Sequence, residues 1–112
     1  MSTEQTPVKQ DQRSSARKPL HARGTLMLDG HDLPFDAIDI GPGGMCVAIP
    51  RQLTTGQRCR IEVPLLIKGK KFNVVAIAKV TYCVCGKNGF KAGMQFVEMM
   101  DKASTAAIDQ FM

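Results

Sequence analysis

From residue 21 onward, apolar and polar positions alternate in short runs separated by glycine-rich or charged breaks. Alternation with a period of two marks a strand that buries one face. Residues 57–67 show it most clearly: Cys59, Ile61 and Val63 fall on one side, Arg58, Arg60 and Glu62 on the other. Pro64, which cannot donate to a ladder, places this strand at an edge or a bend. Residues 21–29, with Leu26 and Leu28 on one face, residues 33–40, and residues 44–50, with Met45, Val47 and Ile49 on one face, predict three shorter strands. Residues 72–85 predict a long one, with Phe72, Val74, Ala76, Ala78, Val80, Tyr82 and Val84 sharing a face. Residues 90–97 turn Phe90, Ala92, Met94 and Phe96 inward and Lys91, Gly93 and Gln95 outward. The breaks at 30–32, 68–71 and 86–89 carry turn residues, and 51–56 reads as a connection.

The period changes at residues 101–112. Asp101 or Ser104 can cap a helix there, and Ala107, Ile108, Phe111 and Met112 then form its apolar stripe. Six short strands joined by tight turns, followed by one helix, predict a mainly β fold: a six-stranded antiparallel β-barrel with a C-terminal α-helix over one end or face. Residues 1–20 are polar, contain Pro7 and Pro19, and have few apolar side chains. They are expected to form a flexible N-terminal segment, leaving 21–112 as the barrel and helix. One domain suits a chain of 112 residues.

Charge sharpens this division. Residues 1–23 hold Lys9, Arg13, Arg17, Lys18 and Arg23 against Glu4 and Asp11, a net +3 of the chain's total of +5. An anionic partner for the N-terminal segment is therefore expected. The polar N-terminus lacks the apolar core of a signal peptide, and no run approaches the roughly 20 apolar residues of a membrane span. A cytoplasmic protein without a membrane span is expected, with Cys46, Cys59, Cys83 and Cys85 as reduced thiols. Cys83 and Cys85 would share a strand face, but C-x-C with two distant histidines, His21 and His31, lacks a metal-ligand spacing, and no metal site is expected. No nucleophile elbow, P-loop or zinc-protease signature occurs, so no catalytic residues are assigned and an enzyme is not expected.

Two short motifs remain. In RSSAR, Arg13 and Arg17 stand four apart with Lys18 next. Two such arginines can clamp one anion, binding phosphate bidentately or reading the O6 and N7 edge of guanine. In DIGPGGM, Asp39 precedes a turn containing Gly41, Gly43 and Gly44. Glycines let backbone N–H groups approach an anion, and the Asp39 carboxylate can accept the N1–H and N2–H₂ donors of guanine. A solvated basic tail and a plain hairpin turn are the structural alternatives.

In order, these motifs resemble those of the PilZ domain family, whose pattern is RxxxR followed by D/N-x-S-x-x-G. Arg13 and Arg17 match the first; Asp39, Gly41 in the serine position and Gly44 match the second. FKAGMQFVEM resembles the last barrel strand, with Gly93 and Phe96 in familiar places. The resemblance covers about residues 12–112. It implies a six-stranded barrel that binds the second messenger cyclic di-GMP through Arg13, Arg17, Lys18, Asp39, Gly41, Gly43, Gly44 and Gly93. It also implies an arginine segment that orders around the nucleotide and engages an effector protein of motility, pilus, exopolysaccharide or chemotaxis machinery.

Gly41 lacks that serine's hydroxyl, a hydrogen bond of about 0.5–1.5 kcal/mol whose loss alone corresponds to several-fold to about tenfold in affinity; backbone N–H groups or water can take its place, and binding is expected to be retained. Gly41→Ser is accordingly expected to tighten binding if the loop tolerates a side chain. A PilZ-like adaptor that has lost nucleotide binding is the nearest alternative. A small basic barrel for RNA or single-stranded DNA is the next, opposed by an aromatic content of only 5%.

Overall fold

The computed structural model describes residues 16–112. Six antiparallel strands, β1 (Lys18–Leu28), β2 (His31–Gly41), β3 (Gly44–Ile49), β4 (Arg58–Ile67), β5 (Lys70–Gly86) and β6 (Gly89–Met99), precede helix α1 (Lys102–Phe111). They close in the order β1-β2-β3-β6-β5-β4, with β4 pairing back onto β1. The predicted barrel and terminal helix are therefore present. Inward side chains fill the barrel, among them Leu26, Phe35, Ile40, Met45, Ile61, Leu65 and Met94, all fully buried. The seam is short, with Thr25, Leu26 and Met27 of β1 paired to Glu62, Ile61 and Arg60 of β4.

Two hairpins are tighter than expected. Asp29 and Gly30, with φ of 50° and 78°, form one turn; Lys68 and Gly69, with φ of 51° and 80°, form another. Paired positive φ values mark two-residue turns whose twist matches the flanking strands. His31, Asp32, Lys70 and Lys71, expected in turns, therefore already belong to strands.

β1 also starts earlier than residue 21. Lys18 pairs with Ile40 and Pro19 with Asp39, and Leu20 is buried. That single apolar anchor ties the end of the basic segment into the sheet.

The long strand β5 departs most from its pattern. Val74, Ala76, Ala78 and Val80 are buried as expected, but Phe72, Tyr82 and Val84 are exposed. Val80 pairs with Met94 and Tyr82 with Gly93, so Thr81 is an extra residue on β5. Such a bulge reverses the facing of everything beyond it. Tyr82 and Val84 thus stand on the outer wall, and Cys83 packs towards the core.

The helix is capped by Asp101, whose Oδ1 accepts the Ser104 N–H at 2.7 Å. Ser104, the other cap candidate, lies inside the helix. It is fully buried, and its Oγ accepts the Val75 N–H of β5 at 2.9 Å. Ala107 and Ile108 are buried, whereas Met112 is exposed and forms the C-cap instead of part of the stripe. No helix of the described residues is long and apolar enough to cross a membrane.

Candidate functional site

A row of paired residues runs across five strands of the barrel. Pro19 pairs with Asp39, Asp39 with Cys46, Cys46 with Gly93, and Gly93 with Tyr82. Directly paired residues project from the same face of a sheet. Met45 and Val47 point into the core, so Cys46 and its row stand on the outer wall. Bulges bracket the row, at Thr81 in β5 and between Ala37 and Asp39 in β2. Bulges often lie beside functional sites because they re-aim side chains.

Asp39 meets the basic segment here. Arg17 Nη1 lies 3.3 Å from Asp39 Oδ1, and both side chains remain about a third exposed, at 35% and 30%. The contact requires Ala16 and Arg17 to cross β2 closely. Gly41 permits this: a Cβ at position 41 would collide with the Ala16 carbonyl oxygen and press on Arg17 Cγ. A side chain at Gly44 would similarly strike the Met94 carbonyl of β6. Gly43 is open to solvent, and its carbonyl accepts the Phe96 N–H at 2.9 Å. Gly41, Gly43 and Gly44 all keep negative or extended φ. At 41 and 44 the glycines serve close approach, not left-handed backbone.

Tyr82 covers the middle of the row. Its ring lies over Gly93, where any Cβ would overlap three ring carbons. Its hydroxyl reaches Cys46 Sγ at 3.5 Å, one strand further on. Cys46 is thereby buried on an outer wall, with 3% exposure, although Tyr82 itself is 40% exposed. The hydrogen bond with Cys46, then burial, pushes the Tyr82 phenol up to about 12. The charges of Arg17, which lowers it, and of Asp39, which raises it, act on the same hydroxyl.

Arg17, Gly43, Gly44, Thr81 and Gln95 line a cavity of about 270 Å³ beside this group. Arg17, Asp39, Gly41, Gly43, Gly44 and Gly93 are therefore gathered on one patch. Lys18 is engaged elsewhere: its Nζ donates to the Phe111 carbonyl at 2.9 Å and sits 4.7 Å from that ring's centre. Arg13 lies outside the described residues.

Tyr82 and Cys46 join this patch without any sign in the sequence, because alternation alone puts Tyr82 in the core. Among the described residues, no group of three His, Cys, Asp or Glu side chains is placed to hold a metal ion. Cys83 Sγ accepts the Leu53 N–H at 3.4 Å, and Cys85 is exposed.

The sequence profile of the PilZ domain matches residues 11–112. The chain belongs to the PilZ domain family. Binding of cyclic di-GMP as a ligand is a property of the PilZ domain family. In three dimensions this PilZ domain is similar to the Bacillus subtilis inhibitor of motility, MotI/DgrA, with a TM-score of 0.77 at 14% identity over 88% of this chain and 49% of that one. The chain thus spans about half the length of that protein, and the likeness concerns the fold. No curated protein matches the chain.

Proposed function

We propose that this PilZ domain is a non-catalytic receptor for cyclic di-GMP, acting in the cytoplasm and signalling through its N-terminal segment to an effector protein. One observation carries the reading: Arg17 and Asp39 form a solvent-accessible ion pair beside the Gly41–Gly44 turn. The two groups are chemically complementary to one guanine nucleotide. Arg17 suits a phosphate or the O6 and N7 edge, and Asp39 suits the N1–H and N2–H₂ donors. Arg13, four residues before Arg17, supplies a second guanidinium for the same clamp.

The energetics favour exchange. A partly exposed ion pair contributes only about 0–1 kcal/mol. Each charge-assisted hydrogen bond to the nucleotide contributes roughly 1.5–3 kcal/mol. The ligand can therefore separate Arg17 from Asp39 and engage both. Lys18 follows directly and holds the last carbonyl of α1, so repositioning Arg17 has a route to the helix end.

A second reading has a specific observation behind it. The Ala16 carbonyl lies over Gly41, where the family pattern has a serine, and Arg17 already has an anionic partner. That arrangement suits an adaptor that works without nucleotide. Isothermal titration with cyclic di-GMP separates the two. Saturable heat whose affinity falls about ten- to a hundredfold in Arg17→Ala and Asp39→Ala supports the receptor; no heat from the wild-type chain at high micromolar ligand sinks it.

A further inference from the structure

We infer that Tyr82 is the stacking platform for a purine base of the bound nucleotide. This rests on the receptor reading above and assigns a contact that neither motif contains.

The ring has two different faces. One lies on Gly93, whose lack of a side chain lets the ring settle on the backbone of β6. An aromatic ring covering a cross-strand glycine is a known stabilising device in sheets, and it accounts for that face alone. The other face looks outward, and Tyr82 keeps 40% of its surface exposed. The hydroxyl is tethered to Cys46, which holds the ring across the wall instead of letting it swing into solvent. The tethered edge points along the row towards Asp39, which pairs directly with Cys46. Arg17 and Asp39 lie close enough for their charges to act on the hydroxyl.

A rigid aromatic face next to a hydrogen-bond acceptor and a guanidinium is the composition of a base-binding surface. Stacking supplies affinity, and the polar groups at the base edges supply orientation. A cavity of about 270 Å³ is lined by Arg17, Gly44 and Thr81, the residue before Tyr82.

Tyr82 is the chain's single tyrosine, and there is no tryptophan. Intrinsic fluorescence therefore reports this ring alone. The test titrates the wild-type chain with cyclic di-GMP, following heat and tyrosine emission in parallel. Tyr82→Phe and Tyr82→Leu are titrated calorimetrically, and their thermal midpoints are measured.

Emission that is quenched and saturates at the same ligand concentration as the heat is the expected result. Tyr82→Phe should bind within about threefold of wild type. Tyr82→Leu should fold but bind roughly five- to a hundredfold more weakly, the loss of one base stack. Wild-type heat with unchanged emission, or unchanged affinity in a folded Tyr82→Leu, overturns this inference while leaving the receptor reading intact. Should Tyr82→Leu not fold, the wild-type emission decides, unchanged emission overturning the inference. No wild-type heat overturns the receptor reading and this inference with it.

Discussion

The Ala16 carbonyl lies against Gly41, in space that a side chain there would occupy. The close approach brings Arg17 onto Asp39, and it reverses the expectation that a serine at 41 would tighten binding. Gly41→Ser must push the arm off β2 before its hydroxyl can help. Overpacking of this kind costs about 1–3 kcal/mol. Affinity for cyclic di-GMP should therefore fall about five- to a hundredfold by calorimetry. Tighter binding would show that the arm leaves Gly41 when the nucleotide enters.

Removing either member of the ion pair should separate stability from binding. Arg17→Ala or Asp39→Ala changes unfolding stability in denaturant by no more than about 1 kcal/mol, because the pair is part-exposed. Loss of charge-assisted contacts to the ligand should weaken binding by roughly 1.5–3 kcal/mol, about ten- to a hundredfold. Comparable losses in both measurements would make the pair structural.

Alkaline pH should destabilise the barrel. Burial pushes the Cys59 thiol from 9.0 to about 11, and the Cys46 contact and burial push Tyr82 from 10.0 to about 12. Each group is held protonated by the fold. Its stabilising contribution is present below the unfolded value and lost as pH rises through the folded one. Denaturation midpoints should decline between about pH 9 and 12, and tyrosinate absorbance, which reports Tyr82 alone, should titrate late. A Tyr82 transition at its unperturbed value would contradict the Cys46 tether.

Ser104 ties the helix to the barrel. Ser104→Ala leaves the N–H of half-buried Val75 without its acceptor, at a cost of about 1–3 kcal/mol. Chemical denaturation should show that loss without altered ligand affinity.

The strands were legible because burying one face imposes a period of two along β4 and most of β5, and the terminal helix because that period changes after residue 100. The bulges were not. Thr81 is one residue added to a ladder, with no compositional signature, yet it moves Tyr82 from the core to the outer wall. Leu20 hid the start of β1 because Lys18 and Pro19 resemble tail. Asp39 and Arg17 were identifiable as candidates through the spacing of two motifs. The role of Gly41 depended on which backbone crosses it, a tertiary contact that local sequence does not encode.

An amide NMR titration of the wild-type chain with cyclic di-GMP tests the central claim most directly. The account predicts saturable shifts concentrated on Arg17, Asp39, Gly41, Gly43, Gly44 and Gly93, with smaller changes at the Phe111 end of α1. Absence of shifts at saturating ligand, or shifts confined to residues away from the Arg17–Asp39 pair, would contradict it.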